Sequence, residues 1–109
     1  MTIENMSDGV IFVELPKGSF HIRNELENLN QIISENCQTD VVMDFTHVEI
    51  LISVNISNLL ILRKMLEDQG HQLIFCNVAP LTKHIFELAG LLSIFNFTED
   101  RTEAIQTIK

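Results

Sequence analysis

Apolar positions along the chain change period several times, and each change marks an element. The densest stretch, Val41 to Leu66 (VVMDFTHVEILISVNISNLLILRKML), opens on Val41, Val42, Met43 and Phe45. A short continuous run of this kind predicts a strand buried on both faces of a parallel sheet. Asp44 lies near its carboxyl end, and Thr46, His47, Val48 and Glu49 lead to a second apolar group, Ile50 to Ile52. From Val54 on, Ile56, Leu59, Leu60, Met65 and Leu66 recur at three- and four-residue steps, which predicts a long helix with one face on the sheet. Ser53 stands where that helix begins, its hydroxyl able to accept from an early backbone amide. Ile61 and Leu62 widen the apolar face beyond one side of a helix, so one of them is expected in a partner contact or a homodimer.

The flanking segments alternate in the same way. Gly9 to Leu15 predicts a strand, and Pro16-Lys17-Gly18-Ser19 a turn, after which Phe20 to Ile22 reads as resumed extended structure forming a hairpin at one sheet edge. Asn24 with Glu27 resembles a capping box, and Ile22, Leu26, Leu29 and Ile33 come at helical spacing, predicting a first helix near Asn24 to Ser34. The long helix is expected to stop at Gln69-Gly70, where glycine accepts the left-handed conformation. Leu73 to Cys76 predicts the next strand, and Pro80 opens a helix that Gly90 ends. Leu91 to Phe97 reads as a turn and an edge strand, with Thr98 capping a last helix over Glu99 to Ile108. Strands alternating with helices predict an α/β domain with a mixed, mostly parallel sheet of four to five strands covered by four helices.

A chain of 109 residues is long enough for one core, so residues 1–109 are read as one domain. Seven basic against fifteen acidic residues leave a formal charge of −8. Such a surface repels nucleic acid and anionic bilayers. The amino terminus carries neither a basic region nor an apolar segment of signal length, and no run is long enough to span a bilayer, which predicts a cytoplasmic protein without direct membrane insertion. Cys76 lies in an apolar run and Cys37 in a polar loop, so a disulfide between them is not expected. His21, His47, His71 and His84 are scattered without metal-site spacing, and no metal or other cofactor is expected.

The order strand, Asp44-Phe45-Thr46, apolar run, Ser53, helix, then Gln69-Gly70-His71-Gln72-Leu73-Ile74-Phe75-Cys76-Asn77-Val78-Ala79-Pro80, resembles a STAS domain of the anti-sigma-factor-antagonist family. The tail Ile85 to Phe95 is similar to the family too, and the resemblance covers nearly the whole chain. Its switch motif, Asp-Ser-x-Gly-Leu-Gly, aligns with Ile52-Ser53-Val54-Asn55-Ile56-Ser57. The serine is retained; the aspartate and both glycines are not. The resemblance implies a STAS-like sheet with antiparallel amino-terminal strands at one side. It also implies a bacterial signalling role in which the unphosphorylated protein binds a serine kinase or anti-sigma factor and phosphorylation of Ser53 weakens the contact. It leaves open two other roles, an unswitched scaffold in a stress-signalling assembly and a STAS subunit of a lipid ABC transporter.

The partner-binding surface is expected at Asp44, His47, Ile52, Ser53, Val54, Asn55, Ser57 and Asn58. Each of the more chemical residues has a plainer reading beside it. Ser53 is either a phosphoacceptor or only a helix cap; Asp44 is either a surface carboxylate or the acceptor of a turn. His47 either contributes to the surface or is incidental. No Gly-x-Ser-x-Gly elbow, phosphate-cradling glycine loop or recognisable carboxylate pair is present, so catalysis is not expected.

Overall fold

Alternation along each strand divides the core between the two faces of one sheet. The computed structural model describes residues 2–7 and 9–108. Among the described residues five strands, β1 (Thr2–Ser7), β2 (Val10–Glu14), β3 (Asp40–Asp44), β4 (Leu73–Cys76) and β5 (Asn96–Thr98), lie side by side in chain order. β1 runs antiparallel to β2, and β2 to β5 are parallel. The helices are α1 (Ser19–Glu35), α2 (Ser53–Asp68), α3 (Pro80–Leu88) and α4 (Arg101–Ile108).

Because strand order advances in one direction from β2 to β5, crossovers of one hand bring α1, α2 and α3 to the same face. There Val13, Val41, Met43, Leu73 and Phe75 meet Ile22, Leu26, Leu29 and Ile33 of α1, Leu59, Leu62 and Leu66 of α2, and Phe86 of α3. Phe86 is the seat of α3, with its ring 5.8 Å from Phe75 and 6.4 Å from Phe45. Each such side chain removed fully from water contributes about 1.5–3 kcal/mol. The opposite face, with Val10, Phe12, Val42, Ile74 and Cys76, packs on Ala104 of α4. Arg101 lays its guanidinium over the Phe12 ring at 3.8 Å.

The mixed, mostly parallel sheet and four helices agree with the architecture expected from the sequence. Three local expectations are corrected. Phe20 to Ile22 is not extended: helix α1 already begins at Ser19, after Gly18, and the antiparallel partner of β2 is the amino-terminal strand β1. Asn24 is accordingly interior to α1 and caps nothing. At the last helix, Thr98 does not cap. Its hydroxyl donates across the sheet to the Phe75 carbonyl at 3.0 Å, while Asp100 Oδ1 accepts from the Glu103 amide at 2.9 Å. Asp100 is therefore the residue that satisfies an open amide there.

Candidate functional site

The carboxyl ends of β2, β3 and β4 feed α1, α2 and α3, so the first turns of these helices share one end of the sheet, where open α/β sheets place their sites. The connection from β3 to α2 is shaped by one carboxylate and two apolar anchors. Asp44 Oδ1 accepts from the Thr46 amide at 2.8 Å and from the Thr46 hydroxyl, and the Val48 amide donates to the Phe45 carbonyl at 3.0 Å. Val48 and Leu51 are buried, which leaves their neighbours Ile50 and Ile52 outside, 61% and 42% exposed.

Ser53 is exposed and is the first helical residue of α2. The cap position belongs to Ile52, in extended conformation and without a side-chain hydrogen bond to the helix. A serine caps only from outside the helix, so Ser53 comes one residue too late for that role, and the plain reading of it as a helix cap is corrected. Its hydroxyl lies at the surface, in the same stretch of chain as the exposed Ile50 and Ile52.

The remaining residues expected at a partner surface divide by burial. His47 and Ser57 are exposed; Val54 and Asn58 are half-buried. Asp44 and Asn55 are buried, so their side chains form no part of the exposed surface, and the expectation is corrected for both. Asp44 is spent on the Thr46 turn. Asn55 points into the junction of two helices, where its Nδ2 donates to the Ser19 carbonyl at 3.2 Å. A second asparagine ties the same pair further along, Asn30 Nδ2 donating to the Asn58 carbonyl at 3.1 Å. On α2, Leu62 is buried and Ile61 half exposed, so Ile61 is the one of the two that extends the apolar face outward.

The first turn of α1 adds a residue that the sequence reading missed. Phe20 is 68% exposed, and the Asn55–Ser19 bond holds its turn against the turn that carries Ser53. The signal was available: Ile22, Leu26, Leu29 and Ile33 define the buried stripe, and a residue two positions before Ile22 falls on the opposite side of the helix. It was hidden by reading Phe20 as part of a strand. Leu81, 68% exposed in the first turn of α3, lies at the same end of the sheet. Lys17 and Glu49 pair at 3.0 Å between the loops entering α1 and α2, and His47 Nε2 stands 3.5 Å from Glu14. Both pairs are largely exposed and hold little energy.

Among the described residues no three His, Cys, Asp or Glu side chains gather as metal ligands, and no helix is long and apolar enough to cross a membrane. What the site offers is an exposed serine in the same stretch of chain as the exposed Ile50 and Ile52.

The model of the STAS domain family matches residues 8–104. A Bordetella bronchiseptica protein named "Putative anti-sigma factor antagonist BtrV" is 29% identical over 69 residues, 63% of this chain and 60% of that protein, so the match spans less than two thirds of the relative's length. The fold superposes on the anti-sigma factor antagonist SpoIIAA in its unphosphorylated form with a TM-score of 0.75 at 14% identity, covering 98% of this chain and 96% of that one. It superposes on a chain of the stressosome, a signal integration and transduction hub, with a TM-score of 0.76 at 16% identity, covering 98% and 95%.

Proposed function

This chain belongs to the STAS domain family, and on that premise we propose that it is a protein-interaction module that binds a kinase or anti-sigma partner through the Ser53 face and is released by phosphorylation of Ser53. The observation that carries the reading is the setting of Ser53: exposed, uncommitted to capping, next in the chain to the exposed Ile52, and in a turn that Asn55 ties to the first turn of α1, which carries the exposed Phe20. Exposed apolar groups around one polar atom are the composition of a protein contact. A phosphate on Ser53 brings about −1.5 to −2 charges to a chain already at −8. It would then have to be desolvated against whatever covers Ile50 and Ile52, so the contact opens. The similarity to a named anti-sigma factor antagonist supports the class of partner.

A second reading is a constitutive scaffold. It is supported by the exposed Ile52, which stands where the family motif carries aspartate, and by the likeness to a stressosome chain. The two readings separate in one experiment. Wild type and Ser53→Glu are immobilised side by side, partners are captured from soluble and membrane fractions of the host, and each partner is then purified for measurement of Kd. The switch predicts a soluble ATP-binding partner that Ser53→Glu binds at least about tenfold more weakly. Equal affinity of both forms for that partner sinks the switch and leaves the scaffold; a membrane transporter as the captured partner makes the chain a transporter subunit instead.

A further inference from the structure

Asn55 is the polar side chain that α2 buries completely among the described residues, and its burial is incomplete chemically. Nδ2 reaches the Ser19 carbonyl at 3.2 Å, but Oδ1 is buried with no partner. An unpaired buried acceptor opposes folding, and a small apolar residue at this position would avoid it. The position is nonetheless two residues after Ser53, and the Asn55 backbone amide donates to the Ile52 carbonyl at 3.0 Å. One side chain thus reports the geometry of the Ser53 turn to the carbonyl next to Phe20.

We infer that Asn55 is a positioning residue that joins the first turns of α1 and α2 into one body, so that a charge placed on Ser53 is felt at Phe20. The inference rests on the reading of the Ser53 face as the regulated contact, and it gives that face its second half. Phe20 is then an anchor set by the state of Ser53, and not an independent apolar side chain. The path is short and contiguous: the Ser53 turn, the Asn55 amide, the Ser19 carbonyl, Phe20. If this path carries the coupling, removing the link removes the response.

The coupling is measurable without any partner. Amide hydrogen exchange at Ile22 and Arg23, and the chemical shifts of the Phe20 to Arg23 amides, are compared with and without Ser53→Glu in three backgrounds: wild type, Asn55→Ala and Asn30→Ala. The Ile22 amide donates to the Gly18 carbonyl at 2.8 Å, so its exchange reports the first turn of α1 directly. We expect Ser53→Glu to change exchange there by about threefold or more in wild type, and in Asn30→Ala, which lacks the other α1–α2 tie. In Asn55→Ala the response is lost. No response in wild type, an equal response in Asn55→Ala, or a loss in Asn30→Ala as well overturns the inference. If Asn55→Ala does not fold, Asn55→Leu, which keeps the shape of the side chain but cannot donate to the Ser19 carbonyl, takes its place in the same comparison, and a response equal to wild type overturns the inference. A chain with no kinase partner at all can still show the coupling, so the two failures remain distinguishable.

Discussion

Burial in the sheet pushes the Cys76 thiol up to about 12 from an ordinary 9.0, with the Asp44 and Asp100 carboxylates adding to the shift and the Arg101 guanidinium opposing it. The raised value favours the neutral thiol in the folded protein. Below pH 9 both states hold the proton and pH is without effect; between about 9 and 12 the unfolded chain ionises first, so stability falls as pH rises. The slope from this group reaches about 1.4 kcal/mol per pH unit. Urea unfolding from pH 8 to pH 11 should show this loss in wild type, and a Cys76→Val protein should lack that part of it. Cys37 is shifted upward as well, by burial and then by Asp40. The loop position of Cys37 and the apolar company of Cys76 were legible in the sequence; the carboxylates beside them were not. Asp44 was legible as the acceptor of a turn, since its partner Thr46 is two residues away; Asn55 was not, because a polar residue near a helix start reads as exposed until a neighbour from elsewhere in the chain covers it. For Asn55 that neighbour is Ser19, 36 positions away.

Helix stops were the most legible features, because the chemistry of a glycine there is local. α2 ends with the Gly70 amide donating to the Glu67 carbonyl and the His71 amide to the Leu66 carbonyl, and α3 repeats the arrangement with Gly90 to Glu87 and Leu91 to Phe86. Both glycines have positive φ, +77° and +74°. A Cβ on Gly70 would meet nothing within 4 Å, so its substitution is a conformational cost alone. Gly70→Ala should lower stability by about 1 kcal/mol and Gly70→Asn by less, read from urea midpoints at constant slope. The start of α1 was less legible, since Pro16-Lys17-Gly18-Ser19 signals a turn that can lead equally into a strand or a helix. Phe20, His21 and Ile22 have the composition of a strand. They are helical because α1 then carries Ile22 onto the sheet together with Leu26, Leu29 and Ile33, and burial outweighs the local preference.

At the scale of the molecule the two faces of the sheet are covered unequally. Three helices hold one face, whereas the other relies on α4, eight residues long, with Ala104 against the sheet. Ala104→Asp would put a carboxylate into the apolar contact with Phe12, Val42, Ile74 and Cys76 and should cost about 3–5 kcal/mol, a large part of the stability of a small domain. The measurement is a loss or sharp lowering of the cooperative urea transition, while Ser53→Glu, at an exposed position, unfolds close to wild type. The chain's own pattern was enough for the order of strands and helices from Asp40 onward, the helix stops, the STAS resemblance and the serine, because periodicity, turn chemistry and short motifs act over a few residues; it was not enough for β1 or for the start of α1. Only the folded molecule decided which residues around that serine are surface. Asn55 became buried when the first turns of two helices that begin 34 positions apart in sequence met, and no local pattern encodes a contact between segments that only the sheet brings together.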